Sequence, residues 1–176
     1  MKAETVDTIE RCSLRPMDEA DLEFLRALYA STRQEELSVV AWTDEQKSEF
    51  LRMQFEAQHV HYQQSFPDAE FLVIELEGER VGRLYVDRRD DEIRIVDIAL
   101  VPAHRKRGIG SAYLRRVLSE AESTDKVVRI HVERYNPAFG LYQRLGFREI
   151  DTNGVYYLME WAPNGHGEST SNHQTG

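Results

Sequence analysis

Apolar residues recur along this chain with two periods, and the changes of period mark out its elements. Leu22, Leu25, Leu28 and Tyr29 return every three to four residues behind Asp18, a good N-cap, so a first helix follows a short strand at CSLRP, residues 12–16. Thr43 and Gln46 stand at capping-box spacing, and Phe50, Met53, Ala57 and Val60 then share one helical face, which predicts a second helix to about His61. From residue 71 the period drops to two. FLVIELEGERVGRLYV reads as a hairpin turning at Glu-Gly-Glu, and EIRIVDIALV as a central strand that ends at Pro102. Ile109, Ala112, Tyr113, Val117, Leu118 and Ala121 restore the helical period before VVRIHV, residues 127–132, a further strand. Asn136 and Pro137 suit the N-cap and first position of a short helix closed by Gly146, and FREIDTNGVYYLMEW is a last hairpin around Asn153 and Gly154.

This order of β, α, α, β, β, β, α, β, α, β, β predicts an α/β domain around a mixed sheet. Its length of 176 residues suits one domain, assigned to residues 12–162 between a flexible N-terminus (1–11) and a disordered tail (163–176). The net charge of −9 argues against nucleic acid as a partner, because phosphate binding needs a basic face. No apolar run reaches the roughly 18 residues of a membrane span, and MKAETVDTIERC lacks the apolar block of a secretory signal, so a cytoplasmic protein is expected. The single Cys12 excludes an internal disulfide and a CxxC metal site.

One stretch runs against the acidic average. VPAHRKRGIGSAYL, residues 101–114, sets Arg105, Lys106 and Arg107 before two glycines at the entrance of a helix. A helix N-terminus offers free amides and a positive dipole end, and Gly108 and Gly110 would let an anion approach the amides of Arg107, Ile109 and Ser111. No Lys-Ser or Lys-Thr follows the glycines, so this is no Walker A loop, and a dinucleotide fingerprint would need a third glycine where Tyr113 stands.

The Arg-x-x-Gly-x-Gly behind a Val-Pro strand exit resembles the signature of the GNAT acetyltransferase superfamily, with Arg105, Gly108 and Gly110 on it. A second segment, NPAFGLYQRLGF at 136–147, is similar to that family's Asn-Pro-Ala, Leu-Tyr and Leu-Gly-Phe sequence. The resemblance covers about residues 12–161 and is weakest over 30–66, where family members vary with substrate. It implies a mostly antiparallel mixed sheet splayed between two central strands and flanked by helices. Acetyl-CoA is implied as co-substrate, no metal is, and the reaction is transfer of the acetyl group to an amine by direct attack.

The implied cofactor contacts are Arg105, Lys106, Arg107, Gly108, Ile109, Gly110 and Ser111 for the diphosphate, the backbone of Ile98, Ala99 and Leu100 for pantetheine and thioester, and Asn136. Tyr142 falls where the family places the acid that protonates the leaving sulfur. A phenol, with an ordinary pKa near 10, is matched to a thiolate. Asp97 and His131 are the candidate bases, with Glu133 a poorer third, and Asp97 would otherwise pair with Arg94 or Arg129. The expected partner is a small-molecule or peptide amine, with a homodimer admitted and no membrane. Two other readings stay open: a non-catalytic module that binds acyl-CoA, and a transferase for a longer acyl group.

Overall fold

The computed structural model describes residues 7–163. The tail assigned to 163–176 therefore lies outside the described residues but for Pro163. Residues 7–10 form a helical turn, and Arg11 beyond it donates to Glu77 at 2.7 Å. Seven strands and four helices follow in the predicted order: β1 (Cys12–Pro16), α1 (Leu22–Ser38), α2 (Asp44–Ser65), β2 (Glu70–Leu76), β3 (Glu79–Arg88), β4 (Glu92–Leu100), α3 (Ile109–Thr124), β5 (Val127–Glu133), α4 (Phe139–Arg144), β6 (Arg148–Thr152) and β7 (Tyr156–Trp161). Neighbouring strands run β1-β2-β3-β4-β5-β7-β6. The single domain expected from length resolves into two compact units. One is built on the chain up to Arg88 with Ile95–Tyr113, the other on Arg89–Arg94 with the chain from Leu114 onward.

In the first unit β1, β2 and β3 form an antiparallel ladder, Cys12 opposite Leu76 and Glu70 opposite Val86. Glu77 and Gly78 turn the β2–β3 hairpin with φ of 51° and 84°, the positive pair that a two-residue turn needs to match strand twist. Asp18 caps a 3-10 turn (Glu19–Asp21) in a capping box, and α1 continues from it. Asp21 is fully buried, yet every approach to it is polar: two bonds from Arg15 at 2.7 and 2.8 Å, Arg80 at 2.7 Å and the amide of Asp18 at 2.8 Å. Those donors, Arg15 first, hold its carboxyl well below the usual carboxylate range against the cost of burial.

The capping box predicted at Thr43 is present and starts α2. The face predicted for α2 is not the buried one. Met53 and Val60 are exposed, whereas Phe55 is buried between Leu25 and Tyr29 of α1, with Leu51 packed alongside. The rings of Tyr29 and Phe55 lie 6.2 Å apart, and enclosing a phenyl side chain is worth about 1.5–3 kcal/mol. Trp42 stands 43% exposed with its ring edge-on to Phe50.

In the second unit β7 pairs antiparallel with both β5 and β6, Val128 opposite Trp161 and Arg148 opposite Glu160. Helix α4 ends in a Schellman arrangement: the amide of Phe147 donates to the Tyr142 carbonyl at 3.0 Å, and that of Gly146 to Gln143 at 3.1 Å. Gly146 has φ +100°, and a Cβ there would meet Trp161 at 3.3 Å. Glycine at this position serves both the left-handed turn and the packing.

Candidate functional site

Beyond β4 the chain makes a 3-10 turn over Pro102–His104, in which the Arg105 amide donates to the Pro102 carbonyl at 3.3 Å. The Arg105 side chain turns back: Nε donates to the Leu100 carbonyl and Nη2 to Ser31 Oγ of α1, both at 2.9 Å. Its guanidinium is thus a brace that ties the loop to the end of β4. Lys106 takes φ +62° and Gly108 φ +84°. A lysine in the left-handed region costs about 1–2 kcal/mol, a strain of the kind found at ligand-holding loops.

These turns bring the chain into α3. Its first α-helical bond is from the Ala112 amide to the Gly108 carbonyl at 2.9 Å, so Ile109, Gly110 and Ser111 have no carbonyl one turn behind them. A Cβ on Gly110 would rest in ordinary contact with Leu100 Cδ1 at 3.7 Å. Lys106 and Arg107 are exposed. Oriented amides, a glycine and two exposed cations at one turn are groups that could hold a diphosphate.

On β4, just before the loop, Asp97 is ion-paired with Arg83 of β3, not with Arg94 or Arg129. Arg83 is 3% exposed; its Nη2 also donates to Gln58 Oε1 of α2 at 3.0 Å, and its guanidinium lies over the Tyr85 ring, 4.9 Å from the centroid. Burial works against the Arg83 charge, and Asp97 together with Tyr85 and Tyr62 more than restores it. The Tyr85 phenol, buried beneath, is pushed up by its burial. Gly82 permits this closeness of β3 and β4, because a Cβ there would overlap the Ala99 carbonyl oxygen and reach Leu100 Cδ2 at 2.6 Å. Sequence reasoning passed over Arg83. The signal was a cation inside the apolar run VGRLYV, which can be buried only with a carboxylate.

The second unit carries the other named residues. His131 on β5 is exposed, and its Nδ1 lies 3.3 Å from Arg94 Nη1. Partial burial and then the Arg94 charge lower its pKa below the ordinary histidine value. Tyr142 in α4 is 4% exposed, with its ring edge-on to Phe147, centroids 5.7 Å apart. Asn136 does not cap α4: its Oδ1 accepts from the Ala138 amide at 2.8 Å, which shapes a turn, and the helix begins at Phe139. Proline at 137 makes that turn but leaves the first helical bonds to later residues. Among the described residues no group of three or more His, Cys, Asp or Glu could hold a metal, and no helix is long and apolar enough to cross a membrane.

Residues 24–147 match the acetyltransferase (GNAT) family. An N-alpha-acetyltransferase of Sulfurisphaera tokodaii is 28% identical over 107 residues, 51% of this chain, and the match spans 63% of that relative's length. Among solved structures, the PaiA N-acetyltransferase of Thermoplasma acidophilum, in complex with coenzyme A, superposes with a TM-score of 0.65 at 20% identity, over 86% of this chain and 98% of that one. The histone acetyltransferase HPA2 and related acetyltransferase from Corynebacterium glutamicum gives a TM-score of 0.59 at 22% identity, over 87% and 96%. These likenesses confirm the α/β fold expected from the order of elements.

Proposed function

Because the chain belongs to the acetyltransferase (GNAT) family, we propose that it transfers an acetyl group from acetyl-CoA to a primary amine by direct attack, without a covalent enzyme intermediate. The observation that carries this reading is the entrance of α3, where the amides of Ile109, Gly110 and Ser111 stand unbonded to their own helix. Those amides and that of Gly108 hold the diphosphate, with Lys106 and Arg107 adding charge, while Arg105 fixes the loop. The backbone of Ile98 and Ala99, with the Leu100 amide, aligns the pantetheine arm, and Asn136 adds a cofactor contact.

Bound acetyl-CoA supplies the acyl group as an activated thioester. Tyr142 gives the departing sulfur its proton, a step worth about 10²–10⁴-fold in rate for a positioned acid. The acceptor is a primary amine, and the name of the Sulfurisphaera tokodaii relative favours the N-terminal amine of a peptide as the first to try.

Calorimetric titration of the full chain with acetyl-CoA, and then with coenzyme A, tests the cofactor assignment. Saturable binding of both is expected, with a rise in Tm at excess ligand. Gly110→Val should remove most of the affinity while the protein stays folded. Absence of binding and of any thermal shift with either ligand would overturn the assignment.

A further inference from the structure

We propose that Arg94 fixes the tautomer of His131, with its proton on Nε2 and its Nδ1 lone pair covered, so that this side chain takes no proton from an acceptor amine. The inference deepens the acetyltransferase reading and rests on it for its catalytic meaning.

Arg94 Nη1 lies 3.3 Å from His131 Nδ1. A guanidinium has only donors, so the imidazole nitrogen facing it must be the acceptor. A neutral ring carries one N–H, which places it on Nε2. The lone pair a base would need is the one Arg94 covers. Protonating Nδ1 would set N–H against N–H beside a fixed cation.

Arg94 is held in that attitude from behind. Glu92, only 5% exposed, receives Arg94 Nε on Oε2 at 3.3 Å and Nη2 on Oε1 at 3.5 Å. The same carboxylate accepts from Arg89 at 3.2 Å and lies 3.8 Å from Arg129, which in turn donates to Glu160 of β7 at 2.8 Å. One buried acid thus gathers three arginines, and the Arg94 side chain is left 13% exposed. Of the charged groups facing the ring, Arg94 opposes a proton on it, whereas Glu92 of β4 and Asp151 of β6 favour one; β7 places only Leu158 opposite His131, and Arg129 and Glu133 flank it on β5. Burial and Arg94 prevail.

In this arrangement Arg94 is a positioning residue, and the acceptor amine must arrive as its free base; as its nitrogen bonds to the acyl carbon and the C–S bond breaks, the proton that nitrogen loses passes to solvent rather than to His131, and solvent restores the one that Tyr142 gives the thiolate.

Nitrogen-15 spectroscopy of the imidazole rings in the full chain, with His131 assigned by its loss in His131→Gln, tests this directly and needs no acetyl-CoA. The parent should show His131 protonated at Nε2 and bare at Nδ1, with a midpoint below 6.5. In Arg94→Met the tautomers should mix and the midpoint rise. A parent ring protonated at Nδ1, or tautomer and midpoint unchanged in Arg94→Met, would overturn the proposal; if the variant does not fold, the parent spectrum decides alone. A second measurement uses an accepted amine: in His131→Gln the rise of kcat/KM with pH should keep its shape, because that rise belongs to the amine. Loss of that limb in His131→Gln would make His131 the base. Failure of acetyl-CoA binding would strike the function reading and leave the spectroscopic result standing.

Discussion

At Asp97 a single carboxylate neutralises a guanidinium that is 3% exposed, and that duty conflicts with service as a free base. Asp97→Asn should therefore cost stability first: about 3–5 kcal/mol, the usual result of leaving one member of a buried pair behind, read as a fall in the denaturant midpoint. Unchanged stability with lost turnover would restore Asp97 as a base. The sequence made the carboxylate visible but not its partner, because which arginine lies beside Asp97 is set by the pairing of β3 with β4, and neither Arg94 nor Arg129 comes to it. Asp21 supplies a pH test. Its carboxyl binds a proton more weakly in the folded state than the ordinary value near 3.9, so its stabilisation is complete above about pH 5 and drains as pH falls toward the folded value. Asp21→Asn should accordingly lower Tm strongly at pH 7, and the gap to the parent should narrow steadily as pH falls below about 4; a gap of constant size across that fall would contradict the assignment.

Among elements, β3 and the helix after β4 each carry a glycine, and the two meet different demands. A Cβ on Gly82 of β3 would overlap the Ala99 carbonyl oxygen, whereas one on Gly110 of α3 would rest in ordinary contact with Leu100. Gly82→Ala should destabilise the fold by pushing β3 from β4, whereas Gly110→Ala should leave stability equal or raise it by about 0.5–1 kcal/mol, alanine being the better helix residue. Thermal melts of the two variants separate these outcomes; equal losses would mean that Gly110 also serves packing alone. The elements themselves were legible, since a period of two or of 3.6 needs no tertiary knowledge. The buried face of α2 was not. Its sequence carries two apolar stripes at helical spacing, and Phe55 wins over Met53 and Val60 only because Tyr29 and Leu25 of α1 lie opposite it. Asn136 failed as a helix cap for a similar reason: an Asx turn satisfies the same donor-acceptor logic without starting the helix.

For the whole molecule, family membership was readable from two short motifs because each encodes backbone geometry: glycines at a strand-to-helix turn, and the Tyr142 segment closed by Gly146. The hydrogen-bonded fates of the candidate bases were not, since both depend on arginines distant in sequence. The account as a whole claims catalysis, and thiol release tests that claim most directly. Full-length protein at saturating acetyl-CoA should be offered peptides with free N-termini, lysine peptides, a polyamine and an aminoglycoside, with Tyr142→Phe as the matched control. The account predicts amine-dependent release with at least one acceptor, and a fall of about 10²–10⁴-fold in the control with acetyl-CoA affinity retained. Tight binding of acetyl-CoA with no release on any amine would contradict it and leave a module that binds the ligand without turning it over.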